Sequence, residues 1–317
     1  MVSKFIVFMA ACAALAAGCT PEPEAPAPAA VPAGEVIVAG RGGFIPEGIE
    51  YDQANGRFLT GSLAEGTIFE IGRDGSVVPF ITDAELVSSV GIEADEPRDR
   101  LLVANSDRSV FQPGNVGQAK LGVYSLTTGE KLAMVDLAAI IGTPSDPPAY
   151  FANDVTVDTE GNAYVTDTRM NVVYRVTADY QASVLHRFTG MPEGAALNGI
   201  VYHADGYLLV VAGQNIYKVP VADPAGTTEV RVAEPVPGQD GILWSNDGRL
   251  VAVSNSADAP RVVAFRSNDD WASAQRAGVA AVVGQATTAA AMGDQIYAVH
   301  PHFADADPPS IEQAVFQ

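Results

Sequence analysis

EGIEYDQANGRFLTGS, Glu47–Ser62, reads as a short apolar strand, an Asn-Gly turn and a second strand. The same grammar returns as VGIEADEPRDRLLVANS from Val90, NDVTVDTEGNAYVTDT from Asn153 and NGIVYHADGYLLVVAG from Asn198. It returns again as DGILWSNDGRLVAVSN from Asp240 and, in worn form, as TAAAMGDQIYAVHP from Thr288. In several copies a third strand follows, as in GTIFEIG, LGVYSLT, NVVYRVT, NIYKVPV and RVVAFRS. The opening positions 47, 90, 153, 198, 240 and 288 are separated by steps of 43, 63, 45, 42 and 48 residues. Sustained helical periodicity is nearly absent. A period in the low forties with about four strands per unit is that of a β-propeller blade. Six copies therefore predict an all-β, six-bladed propeller. A β-sandwich is the other architecture such strands could build, but it would not repeat at this period.

The long second step holds extra loop sequence, SVFQPGNVGQAK (109–120) and AAIIGTPSDPPAY (138–150), expected as insertions at blade edges covering the channel mouth. The strand EVIVAG, Glu35–Gly40, precedes the first copy and has no blade of its own. It is expected to become the outermost strand of the last blade, closing the ring so that no sheet edge is left open. The tail ADADPPSIEQAVFQ (304–317) barely suggests a further strand.

The N-terminal MVSKFIVFMAACAALAAGC carries Lys4, an apolar run from Phe5 and then LAAGC, Leu15–Cys19. It resembles a bacterial lipoprotein signal, in which residues 1–18 are removed and Cys19 is lipidated; an ordinary secretory signal cleaved nearby is the alternative. The apolar run is too short and Ala-rich for a transmembrane helix. Thr20 rather than Asp after the cysteine favours the outer membrane in a Gram-negative cell. Residues 19–34, Cys19 followed by TPEPEAPAPAAVPAG, form a Pro/Ala tether that cannot pack a core. Residues 35–317 remain for the propeller. The expected location is the envelope, lipid-anchored at the periplasmic face of the outer membrane. Cys12, the only other cysteine, lies in the signal, so the exported chain has neither a disulfide nor a thiolate zinc site.

The chain has 18 Lys+Arg against 38 Asp+Glu, a formal net charge of −20. Such a field repels phosphate backbones and anionic lipid, so nucleic acid is not an expected partner and membrane contact is left to the anchor. A monomer is expected. The same field draws cations, which matters at the repeated opening position.

In a propeller the innermost strands line the central channel, and their first residues converge at one end. Those residues are Glu47, Val90, Asn153, Asn198, Asp240 and Thr288, four of which bring carboxylate or carboxamide oxygens. Burying two carboxylates close together costs several kcal/mol unless a cation compensates them. Hard oxygen ligands without Cys or His point to Ca²⁺, with Mg²⁺ or another divalent ion second. Taken singly, Asn153-Asp154, Asn198-Gly199 and Asp240-Gly241 read equally well as plain turns. What separates the readings is their shared phase in the repeat, and Glu47 is no turn former. VHPHF adds His300 and His302, which share a side of the strand if Pro301 leaves it extended. They are either substrate positioners or proton shuttles at the mouth, or two loop histidines. No G-x-S-x-G elbow, P-loop or G-x-G-x-x-G occurs, which disfavours serine hydrolases and nucleotide enzymes.

PEGIEYD, FANDVTVDTEGNAYVTD, LNGIVYHADGYLLVV and QDGILWSNDGRLVAVSN resemble the regucalcin/gluconolactonase family of six-bladed propellers. Diisopropyl fluorophosphatase, paraoxonases and strictosidine synthase are more distant relatives of the same architecture. The resemblance runs from Glu35 to about Phe303. It implies one catalytic divalent cation, usually Ca²⁺, held by Glu47, Asn153, Asn198 and Asp240. It also implies hydrolysis of a small-molecule lactone or related ester, with Asp240 as general base or nucleophile. On that reading His300 is a second catalytic candidate, and His302 and Thr288 are candidate substrate contacts. The alternative is a non-enzymatic propeller that keeps the ion structurally and binds a ligand or envelope partner.

Overall fold

Short runs of β-branched and aromatic residues bounded by Gly, Asn and Asp make strands that pair in chain order around a ring. The computed structural model describes residues 34–141, 148–256, 259–303 and 307–317. The expected signal, Cys19 and the tether up to residue 33 lie outside the described residues, as do residues 142–147 of the second insertion. No helix among the described residues is long and apolar enough to cross a membrane.

Strand β1 (Val36–Val38) comes first, and blade 1 follows with β2 (Ile49–Asp52), β3 (Arg57–Thr60), β4 (Ile68–Ile71) and β5 (Val77–Ile81). Blade 2 is β6 (Ser88–Asp95), β7 (Arg100–Ser106), β8 (Gly117–Ser125) and β9 (Lys131–Asp136). Blade 3 is β10 (Tyr150–Val157), β11 (Ala163–Asp167), β12 (Val172–Val176) and β13 (Ala182–Arg187). Blade 4 is β14 (Leu197–His203), β15 (Tyr207–Ala212), β16 (Asn215–Pro220) and β17 (Thr228–Val232). Blade 5 is β18 (Gln239–Trp244), β19 (Leu250–Ser254), β20 (Arg261–Arg266) and β21 (Ser273–Ala281). Blade 6 has β22 (Ala289–Met292), β23 (Gln295–His300) and β24 (Ser310–Gln313), and takes β1 as its fourth strand.

That fourth strand is antiparallel to β24, with Ile37 opposite Ile311. The ring is thus closed by chain from both ends, which covers the edge of the last sheet. The faintly strand-like tail is integral: β24 pairs with β23 and β1, and Gln317 and Val279 of blade 5 exchange backbone hydrogen bonds. The first insertion does more than decorate an edge. It forms a 3-10 turn at Arg108–Phe111 and the start of β8, which pairs in parallel with β10, Gly117 opposite Tyr150. Blades 2 and 3 are thereby stitched together, as β17 and β21 stitch blades 4 and 5.

Each of the six interfaces between neighbouring blades holds its own apolar cluster. Between blades 6 and 1, Ile37, Phe44, Phe58, Phe69 and Tyr297 interlock. Between blades 4 and 5, Leu209, Val236, Phe265 and Trp271 do so. Removing these surfaces from water favours a closed ring over separate sheets. In blades 1 to 3 the hairpin turns at the far end, five residues after the opening position, are tied by buried carboxylates, whereas blades 5 and 6 carry Ser245 and Gly293 there. Asp52 accepts from Arg57 Nε at 3.0 Å, Asp95 from Arg100 Nε at 2.9 Å, and Asp158 from the Asn162 N–H at 2.8 Å. Blade 4 carries His203 at this position instead.

The residue after the opening position is where neighbouring innermost strands approach most closely. A Cβ on Gly241 would overlap the Thr288 side chain of blade 6, and one on Gly48 would overlap the Val90 carbonyl of blade 2. Gly241→Ala should therefore lower the unfolding free energy by about 1–3 kcal/mol, the usual range for overpacking. Gly42→Ala, with nothing within 4 Å of the new methyl, should change it little. Urea denaturation of the two variants decides whether this contact sets the ring's diameter.

Candidate functional site in the central channel

Pairing slips by one residue near the start of the innermost strand in four blades. The slips fall between Ser89 and Ile92, Ala152 and Val155, Leu197 and Ile200, and Gln239 and Ile242. Each bulge therefore contains the opening residue and its successor. A bulge bends the strand and re-aims a side chain. This is how Asn153, Asn198 and Asp240 come to the same end of the channel as Glu47, which lies just before β2. The channel holds about 390 Å³, and Glu47, Asn153, Asn198 and Thr288 line it. Val90 instead packs among Val110, Ala149 and Phe151.

Asn153 is 6 % exposed and its Oδ1 has no hydrogen-bond partner. Its orientation is dictated by a relay. The Thr168 hydroxyl donates to the Leu197 carbonyl at 2.8 Å, so it must accept from Asn153 Nδ2, also at 2.8 Å. The amide nitrogen is thus occupied and the oxygen is left over. Asp240 is 4 % exposed; Asn255 Nδ2 donates to its Oδ2 at 2.5 Å, and the Asn198 carboxamide also hydrogen-bonds the carboxylate. The Glu47 backbone is held by the Thr287 hydroxyl, which donates to its carbonyl at 2.8 Å. No side-chain hydrogen bond of the Glu47 carboxyl is seen among the described residues.

Burial, with the neighbouring carboxyls of Asp240 and Asp154, pushes Glu47 well above the usual carboxylate range. Burial raises Asp240 to about 7 against the opposing hydrogen bonds from Asn198 and Asn255, and Asp154 adds to the rise. Asp154 accepts from the N–H groups of Val155 at 2.9 Å and Ile200 at 3.1 Å, tying blade 3 to blade 4, and burial lifts it to about 7. Further along the channel, burial and the charge of Glu93 raise Glu50 well above its ordinary range, and burial with Asp154 and Asp95 raises Glu93 to about 8. No Lys, Arg or His lines this channel among the described residues.

The donor set fits a hard divalent cation. Glu47 and the orphaned amide oxygen of Asn153 face one end of a channel without basic residues, Asp240 lies behind the lining yet near enough to raise Glu47, and neither thiolate nor imidazole is among them. Among the described residues no three His, Cys, Asp or Glu side chains gather at metal-holding distance. A cation here would therefore depend on the amide oxygens of Asn153 and Asn198 as well as on Glu47 and Asp240.

The histidines stand apart from this group. His300 ends β23, is 1 % exposed, and places Nε2 3.2 Å from Glu312 Oε2 of β24, outside hydrogen-bonding geometry. Burial works against ionisation of Glu312, but His300 and the Val283 N–H outweigh it and hold the carboxyl below its ordinary range. His302 lies beyond the strand with φ at 54° and Nε2 3.3 Å from Ser310 Oγ. Pro301 thus ends the extended run, and alternation does not carry from one histidine to the other. Neither is among the residues lining the channel. Thr168 and Asn255 orient the site from one shared phase of the repeat, held by Ser62 and Asn105 in blades 1 and 2, whereas Thr287 carries no repeated signal. Glu50 and Glu93 do carry one, the shared GIE of the first two copies.

No protein-family model matches the chain, and no curated protein matches it by sequence. Solved structures match it well. The major allergen Mala s 1 of Malassezia sympodialis superposes with a TM-score of 0.71 at 19 % identity, over 90 % of this chain and 96 % of that one. A calcium-binding protein, regucalcin, from Agrobacterium tumefaciens gives 0.60 at 15 %, over 90 % and 94 %. A gluconolactonase from Xanthomonas campestris gives 0.59 at 14 %, over 90 % and 99 %. This chain has the regucalcin/gluconolactonase-like propeller fold.

The raised carboxyls make the stability of the cation-free protein depend on pH. Between the ordinary value of 4.5 and about 8, Glu93 holds its proton in the folded chain but not in the unfolded one. The folded state then binds more protons, so stability falls as pH rises through this interval. Carboxyls shifted the other way, such as Asp247 at about 2, titrate below it. Thermal melts in chelator should show a midpoint that drops from pH 5 to pH 8, and Glu93→Gln should flatten the slope. A midpoint that rises over that range would contradict the burial described.

Proposed function

We propose that this protein is a divalent-cation-dependent hydrolase of lactones or related esters, with Ca²⁺ as the favoured ion. The observation that carries this reading is the unpartnered Asn153 Oδ1 at the channel end occupied by Glu47 and Asp240. An amide oxygen turned inward by a fixed relay, beside carboxyls that burial keeps from ionising, is a ligand set lacking its counter-charge. The use of this fold by a calcium-binding regucalcin and by a gluconolactonase supports the same reading.

Glu47, Asn153, Asn198 and Asp240 would hold the ion. When bound, it supplies a Lewis acid that polarises the substrate carbonyl and favours the developing oxyanion. Asp240 takes the proton of the attacking water. Its Oδ2 is held by Asn255, which fixes the plane of the carboxylate. Burial alone leaves Asp240 near half-protonated at neutral pH. Positive charge beside it returns it to the ionised form a base requires. On blades 4 to 6 the channel wall is largely apolar, with Val201, Leu243, Ala290 and Ala291. This wall suits an acyl or aromatic lactone better than a polyhydroxylated one. His300, buried against Glu312, has no part in the proton transfer. Anchoring through Cys19 at the periplasmic face of the outer membrane, and action as a monomer, complete the proposal.

A panel of lactones, aryl esters and phosphotriesters tests it. Activity toward at least one class should vanish in chelator and return with Ca²⁺. Glu47→Gln and Asp240→Asn should each lower kcat/KM by about 100-fold or more, the usual scale for removing a group that stabilises the transition state. Full activity in Asp240→Asn would overturn the assignment of the base. Calcium binding without turnover of any substrate would favour the non-enzymatic alternative, and no calorimetric calcium binding would remove the ion itself.

A further inference from the structure

At the far end of the channel, between the hairpin turns of blades 3, 4 and 5, lies a second cavity of about 370 Å³. It is bordered by Thr159, Tyr202, His203, Ala204, Trp244 and Gly248. Its wall includes His203, from one of the three blades that depart from the turn carboxylate. Where blades 1, 2 and 3 place Asp52, Asp95 and Asp158 to tie the turn, blade 4 places His203. The imidazole stacks on Tyr207 at 4.5 Å between ring centroids and meets Trp244 edge-on at 5.3 Å. The Trp244 indole N–H donates to the Tyr202 carbonyl at 2.8 Å, holding the two aromatic residues together. The result is a rigid aromatic wall, and the volume is that of a small-ligand site.

Charge selects the occupant. Tyr202 and Trp244 border both this cavity and the channel, whose lining includes Glu50 and Glu93 and no basic side chain. The Asp205 N–H lies 3.2 Å from His203 Nδ1, and the Asp205 carboxylate 3.5 Å from the same nitrogen adds further negative charge beside the cavity. The same aromatic group already seats one cation: Lys218 Nζ lies 4.1 Å from the Tyr207 ring centroid. Aromatic faces attract cations, and carboxylates beyond them strengthen that preference. We infer that this far mouth is a second binding site, for a small organic cation with a flat apolar body, such as an arylalkylammonium ion. The apolar body lies against Tyr202, His203 and Trp244, and the cationic end points into the channel toward Glu50 and Glu93. The site is distinct from the Asn153 end and does not require the hydrolase reading.

The chain has two tryptophans, Trp244 and Trp271, with ring centroids 5.4 Å apart, so its indole fluorescence reports on this cavity. The full chain would be titrated in chelator at pH 9, above the value to which burial raises Glu93, with benzyltrimethylammonium as probe. The expected result is a saturable change in emission, at least tenfold tighter than for benzyl alcohol, with no saturation for phenylacetate. Trp271→Phe should keep the response. Ala204→Phe, which fills the cavity, should abolish it. The double variant Glu50→Gln/Glu93→Gln should weaken the ammonium probe at least fivefold and leave benzyl alcohol unchanged. Equal binding of the three probes, or an ammonium titration untouched by Ala204→Phe or by the glutamate pair, would overturn the inference. Because calcium is absent throughout, failure here would leave the Asn153 site unaffected, and failure of lactone turnover would leave this result unaffected.

Discussion

The close approach of neighbouring innermost strands at one end of the channel governs the rest of the molecule. In blades 1, 2, 4 and 5 it is met by a residue without a side chain after the opening position, Gly48, Gly91, Gly199 and Gly241, and in blades 2 to 5 a bulge takes up the slip in pairing. In blades 3 to 5 the bulge also re-aims the opening side chain, Asn153, Asn198 or Asp240. Scaffold and site are therefore made by the same two residues.

Narrowness has an electrostatic consequence. Burial and the charge of Asp240 raise Glu47, and Asp154 bears on both from the next layer. In the absence of compensating charge, burial holds these groups partly protonated around neutrality. A divalent ion would exchange those protons for ligand bonds, so cation binding, proton release and ring stability are one coupled equilibrium. Asn153 and Asn198 add oxygen without adding further repulsion.

The sequence made the ring legible because blade period and phase are local properties. The Gly-Ile pair, the Asn-Gly or Asp-Gly turn and the apolar strands repeat at fixed offsets, and Glu47, Asn153, Asn198 and Asp240 are visible as departures within one register. The oxygen chemistry of the site could be read for the same reason. Its orientation could not. Thr168 and Asn255 follow second strands at one shared phase of the repeat, but a polar residue there reads as ordinary loop chemistry until the fold brings it against Asn153 and Asp240. The tail around Ser310–Gln313 is short and follows two prolines; it becomes a strand because β23 and β1 pair with both its edges. His300 and His302 look paired by spacing, but Pro301 and the left-handed backbone of His302 separate them.

The two ends of the channel differ because the repeat departs from its consensus in different ways. At the narrow end the departures are at the opening position, and they introduce oxygen where a bland residue such as Val90 would suffice. At the far end the departure is at the turn position, where His203 replaces a carboxylate and recruits Tyr207 and Trp244. Between them stand Glu50, Glu93 and Asp154, which no basic residue of the channel lining neutralises. A channel acidic along its length and differently furnished at its two mouths favours positive charge at either end. The narrow end suits a small hard ion, and the far end a larger, flatter one.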